Sequence, residues 1–155
     1  MNLTIPQHAG EHIEFDSEIA KDVRHKLDVL EQSMQEGIVT ADLEEWDDEP
    51  FLEHYFIPGV YAREMTLPAG VAIVGKLHKH PRIVMVSAGE CSFVSEFGSA
   101  RVNAPYTAVI PAGSKTAIFA HTETVWTSIH RTDETDLVKI EDELIATNHS
   151  ELEEF

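Results

Sequence analysis

Between Tyr55 and Arg131, turn-forming residues cut the chain into short apolar segments that suit strands and leave no room for helices. The breakers are Pro58-Gly59, Leu67-Pro68-Ala69-Gly70, Ala88-Gly89, Gly98-Ser99, Pro105, Pro111-Ala112-Gly113 and Thr122-Glu123. They leave candidate strands at Tyr55–Ile57, Val60–Thr66, Val71–His80, Ile83–Ala88, Cys91–Phe97, Ala100–Ala104, Thr107–Ile110, Lys115–His121 and Val125–Arg131. About nine short strands at this spacing predict an antiparallel sandwich or barrel.

Helical patterns flank the strands. Over residues 16–36, Ile19, Val23, Leu27, Leu30 and Met34 form one apolar stripe, with Asp16 or Ser17 available as cap and Gly37 as terminator. Such a stripe is expected to cover a core. A weaker turn starts at Thr40 and runs into the acidic stretch Glu44 to Glu49. A second helix is expected over Thr135–Ala146, with Leu137, Ile140, Leu144 and Ile145 on one side, followed by a loose acidic tail from Asn148. The expected division is an acidic helical extension (1–54), a barrel (55–131) and a C-terminal helix with its tail (132–155).

Charge follows the same division. The net charge of −17 over 155 residues is carried by the ends, whereas residues 57–131 hold four acids against seven Lys and Arg. The overall sign argues against nucleic-acid binding, which needs a basic footprint. A single cysteine, Cys91, permits no internal disulfide and reads as a packing residue. The N-terminal stretch has no basic and apolar leader pattern, and no apolar run is long enough to span a membrane, so a cytoplasmic location is expected.

The chemistry concentrates at Gly75-Lys76-Leu77-His78-Lys79-His80. On one continuous strand His78 and His80 project from the same face, together with Ala72, Val74 and Lys76, while Val71, Ile73 and Leu77 lie on the other and need a cover. Thirty residues on, Pro111-Ala112-Gly113 opens the next apolar strand, whose Thr116, Ile118 and Ala120 share a face. Arg63, from a preceding strand, and Arg82, from the turn, are placed to join the histidines.

The segment LPAGVAIVGKLHKHPRIVMVSAGE resembles the first cupin motif, and YTAVIPAGSKTAIFAHTETVW resembles the second, on Gly70 or Gly75, His78, His80, Gly89, Pro111 and Gly113. The stretch VWTSIH, followed by TDETDLVKIEDELI, is similar to small cupin-like proteins encoded by bacteriophages. These resemblances imply an all-β cupin-type antiparallel barrel (jelly roll, or double-stranded β-helix) with an N-terminal and a C-terminal helix. They also imply a homodimer or higher homo-oligomer, in a host cytoplasm if phage-encoded. The family's metal site would add a glutamate three to five residues after the histidine pair, and a histidine after the Pro-x-Gly. Here Ile83, Val84 and Met85 occupy the first place and Thr116 the second. His78 and His80 remain as the two metal ligands, if a metal such as Fe, Mn, Ni or Zn binds. His121 or His130 could add a third metal ligand to the pair, although His121 has the opposite parity to Thr116 and His130 falls in no motif position. The expected state is no cofactor.

Three functions follow. The first is binding of a small anion (a nucleotide, sugar phosphate or carboxylate) by Arg63, Lys76, His78, His80, Arg82 and Thr116, without catalysis. In a phage protein this would sequester a host signalling nucleotide. The second is a metal-dependent cupin enzyme: isomerase or epimerase, dioxygenase or lyase. The third is an interaction protein working through its acidic N-terminal region.

Overall fold

The computed structural model describes residues 17–35 and 52–154. Helix α1 (Ser17–Gln35) is followed by β1 (Leu52–Ile57), β2 (Val60–Leu67), β3 (Ala72–Val74), β4 (Leu77–His78), β5 (Arg82–Ala88), β6 (Glu90–Ser95), β7 (Gly98–Asn103), β8 (Tyr106–Ile110), β9 (Thr116–Ala120) and β10 (Thr124–Arg131). Then come α2 (Leu137–Leu144), β11 (Ile145–Ala146) and a 3-10 helix, His149–Glu154. All strand pairs are antiparallel and form a five-stranded sheet β1-β2-β10-β5-β8, a four-stranded sheet β3-β9-β6-β7, and the small pair β11-β4.

Period-two alternation decides which side chains enter the barrel. On β5, Arg82, Val84 and Val86 are buried while Ile83, Met85 and Ser87 are exposed. On β10, Thr124, Trp126 and His130 are buried. The core joins both large sheets through Leu67, Val84, Val86, Phe93, Ile110, Ile118 and Trp126. Phe93 meets Trp126 edge to face, ring centres 5.4 Å apart. Each fully buried aliphatic or aromatic residue contributes roughly 1.5–3 kcal/mol, so this cluster is the main source of stability. Cys91 belongs to it and is fully buried; burial pushes its thiol up to about 11.

The β5–β6 hairpin needs glycine at residue 89. Its φ is +84°, and a Cβ there would lie 2.0 Å from the Glu123 carbonyl oxygen.

Three sequence expectations change. The strand expected over Val71–His80 is interrupted at Gly75-Lys76, where Gly75 donates its N–H to the Thr116 carbonyl at 2.8 Å. The break shifts the parity: Ile73 pairs with Ile118 and faces inward, whereas Ala72 pairs with Phe119 on the outside. The helix expected over Thr135–Ala146 is also shorter, Leu137–Leu144, and ends in a strand. Asp136 caps α2 by accepting from the N–H groups of Val138 and Lys139. After one short helix the chain turns extended, and β11 pairs Ile145 with His78 and Ala146 with Leu77. The expected loose tail is instead the 3-10 helix. The turn expected at Thr40 and the acidic stretch after it lie outside the described residues.

Helix α1 lies over the four-stranded sheet, with Ala20 and Leu27 buried. Lys115, itself buried, reaches from the barrel to Asp28 at 2.9 Å and to Glu31. Among the described residues no helix is long and apolar enough to cross a membrane.

Candidate functional site

The barrel encloses a cavity of about 270 Å³. Its floor is the edge of the core, formed by Met65, Ile73, Ile118 and Trp126. Helix α2 closes part of its mouth with Ile140 and Leu144, which pack on Tyr61. One wall is polar, and strand register explains why. Tyr61 sits opposite His130, Arg63 opposite both Ser128 and His54, and Met65 opposite Trp126. Antiparallel partners share a face, so all these side chains turn inward together.

The wall carries a ladder of rings. His54 stacks on Tyr61 (ring centres 5.9 Å apart), Tyr61 on His130 (5.8 Å) and His130 on His78 (5.3 Å, interplanar angle 6°). The Tyr61 hydroxyl and His54 Nδ1 are 2.9 Å apart. His78 Nδ1 lies 2.8 Å from the Lys76 carbonyl oxygen. A carbonyl only accepts, so Nδ1 carries the proton and Nε2 the lone pair.

Arg82 stands at the end of the ladder with a relative exposure of 5%. Its Nη1 donates to Ser114 Oγ at 3.0 Å and its Nη2 to Thr116 Oγ1 at 3.1 Å. Among the described residues its buried Nε has no partner. No carboxylate among the described residues bonds it. Burial lowers its pKa to about 10, with Glu96 opposing through space. The positive field spreads to the neighbours. Burial first and Arg82 second push His78 down to about 2 and His130 down to about 4. Both imidazoles are therefore neutral at pH 7, beside a permanent buried cation.

The sequence-derived candidates divide. Arg63, Lys76, His78, Arg82 and Thr116 line the cavity. Lys76 does so at the rim, exposed and paired with Glu141 of α2. His80 is not among the lining residues. The strand ends at His78, Pro81 follows, and His80 sits exposed in the intervening bend. The pairing of His78 with His80 is thus corrected: the imidazole beside His78 is His130. Motif spacing gave no hint of His130, but its two-residue spacing from Ser128 and Trp126 did. His121 turns outward and meets Ser92 Oγ at 2.7 Å.

A mutant of salicylate 1,2-dioxygenase from Pseudoaminobacter salicylatoxidans superposes with a TM-score of 0.51 at 10% identity, over 79% of this chain and 36% of the enzyme. KdgF from a Halomonas species gives a TM-score of 0.49 at 16% identity over 60% and 90% of the two chains. A cupin superfamily protein from Desulfitobacterium hafniense gives 0.45 at 12% over 51% and 72%. The fold is a cupin jelly roll. No family model matches the sequence, and no curated protein matches it. At these identities the structural likeness establishes the cupin fold and leaves the chemistry to the residues.

The cupin metal positions do not fit a divalent ion here. Of the histidine pair only His78 faces the cavity, Val84 is fully buried on the inward row of β5, and Thr116 is bonded to Arg82. His78 and His130 lie face to face, so their in-plane lone pairs run alongside each other and do not converge. Among the described residues no three His, Cys, Asp or Glu side chains group as a ligand set. The Arg82 guanidinium also acts on His78 electrostatically and would repel a cation held there.

Proposed function

We propose that the barrel binds one small anion, with Arg82 as its principal contact. The observation that carries this reading is a guanidinium on the cavity lining, 5% exposed and answered among the described residues by two hydroxyls and no carboxylate. A buried charge without a counter-charge is costly, and a carboxylate or phosphate arriving in the cavity would supply one. Arg63 adds positive charge from the same sheet, two strands away on β2, and Thr116 and Ser128 add hydroxyls. The remaining surface is apolar, which suits a ligand with a hydrocarbon body and one charged end.

Volume narrows the class. Drug-sized ligands occupy cavities of roughly 300–1,000 Å³. About 270 Å³ is smaller, which favours a compact carboxylate or a sugar phosphate over a nucleotide. A nucleotide hit would instead support the sequestering role that the phage resemblance implies. Binding is favoured over acid–base catalysis because a general base works best with a pKa near the operating pH, and burial holds His78 and His130 far below it. Helix α1 acts as part of the barrel, tied down through Lys115, which weighs against an independent N-terminal effector.

Thermal-shift titration with carboxylates, inorganic phosphate, a hexose phosphate and nucleoside monophosphates tests the proposal. The expected result is saturable stabilisation by a compact anion, weakened in His78→Ala and lost in Arg82→Gln. Stabilisation by none of these anions, or stabilisation unchanged in Arg82→Gln, would overturn it.

A further inference from the structure

Among the described residues of the polar wall, His78 has an accepting ring nitrogen that is unused. Arg82 and Arg63 only donate. Trp126 Nε1 already donates to Ser128 Oγ at 3.1 Å, and Glu141 is engaged by Lys76 at the rim. His78 differs. Its Nδ1–H is spent on the Lys76 carbonyl, so Nε2 can only accept, and among the described residues it has no partner. Stacking against His130 fixes the ring from one side, and the pairing of β4 with β11 fixes its backbone.

His78 and Arg82 also meet on one short segment. The His78 N–H donates to the Ser114 carbonyl at 3.1 Å, and the Ser114 hydroxyl accepts from Arg82 at 3.0 Å. A single small molecule can therefore engage both side chains. An anion alone presents only acceptors and would face the Nε2 lone pair with a second lone pair.

Resting on the anion reading above, we infer that the ligand is a hydroxy acid, its carboxylate held by Arg82 and its hydroxyl donating to His78 Nε2. A site built to receive a hydrogen bond discriminates against analogues that cannot give one, because the buried acceptor is then left unmet. Burial keeps His78 down at about 2, so the lone pair stays available at any ordinary pH.

Two ligand series on the full-length protein test this: acetate, glycolate and methoxyacetate, then phenylacetate, mandelate and α-methoxyphenylacetate. The expected order of affinity in titration calorimetry is hydroxyl, then hydrogen, then methoxy, with the hydroxy acid roughly tenfold or more tighter than its methoxy counterpart. In His78→Phe the preference disappears while the plain carboxylate still binds. Nitrogen-15 NMR of the unmodified protein is expected to show the neutral Nδ1–H tautomer at His78, independently of any variant. Carboxylates that bind equally well with or without the hydroxyl would overturn this inference and leave the anion site standing. An Nε2–H tautomer would overturn it likewise. Failure of every carboxylate in both series would overturn this inference, and the anion reading would fall with it only if inorganic phosphate and a hexose phosphate, titrated alongside, also failed to bind.

Discussion

Ser114-Lys115-Thr116 separates two buried cations that are treated in opposite ways. On the inner side Arg82 leans on the hydroxyls of residues 114 and 116 and, among the described residues, meets no carboxylate. On the outer side Lys115 is held by Asp28 and Glu31 of α1, and their charges raise its pKa against the pull of burial. Nearby, the Glu96 carboxylate is wholly buried. It accepts the Lys115 N–H at 2.9 Å, with Arg24 Nε at 3.7 Å and His149 Nε2 at 3.4 Å. The outer cluster gives each of its cations a carboxylate within 4 Å and joins α1, a barrel hairpin and the C-terminal 3-10 helix. Among the described residues the inner cation has no carboxylate in contact and feels Glu96 only through space. Charge that a fold neutralises holds the fold together, and charge it leaves buried and unanswered marks where something else is meant to bind.

The largest expected effect concerns pH. An unhindered histidine titrates near 6.5, whereas folded His130 does so at about 4 and His78 at about 2. As pH falls below 6.5 the unfolded chain takes up protons that the folded chain refuses, so stability declines. The decline runs down to about 4 for His130 and to about 2 for His78, at up to about 1.4 kcal/mol per pH unit for each. Urea titrations from pH 7 to pH 5 should show this slope. Because burial is the first cause of both shifts and the guanidinium the second, Arg82→Met should leave most of this slope in place and raise the pH at which the decline ends. An end point unmoved by that change, in titrations carried to lower pH, would mean the inner cation does not act on the imidazoles.

Glu96→Gln should cost about 2 kcal/mol, since it strips the counter-charge from Arg24 within a buried cluster. Chemical denaturation would measure the loss, and a neutral outcome would break the outer half of the comparison. Arg82→Met should leave stability unchanged or raise it by about 1 kcal/mol, because it removes a desolvated charge lacking a carboxylate partner. A loss similar to that of Glu96→Gln would show the two regions to be alike. The smallest effect is expected for Lys115→Met. Its partners are substantially exposed, so the loss should stay below about 1 kcal/mol, with ligand affinity untouched.

Much of this arrangement was legible in the sequence. Turn residues are local signals, so each expected strand has a counterpart in the barrel, usually within a few residues at either end. The face of β9 that carries Thr116 and Ile118 also followed from alternation. What failed depended on partners distant in sequence. Nothing within Val71–His80 announces that Gly75 will bond to the Thr116 carbonyl and reset the parity, so His80 was set beside His78 and Ile73 on the wrong face. Nothing in Ile145-Ala146 shows that it will leave its helix to pair with β4. His130 stood in the sequence only as a possible third ligand, because it lies outside both motifs, although the row of Trp126, Ser128 and His130 places it on one face. Arg82 was noticed as a turn residue. Its burial without a contacting carboxylate among the described residues depends on the inward row of β5 and on the docking of the Pro111–Gly113 loop.

Titration calorimetry of a compact carboxylate into the unmodified protein and into Arg82→Gln tests the central claim most directly. The account predicts saturable binding of one molecule per chain in the first, and affinity weaker by roughly 100-fold or more in the second. Equal binding by both proteins, or none by the unmodified chain to any carboxylate or phosphate, would contradict it.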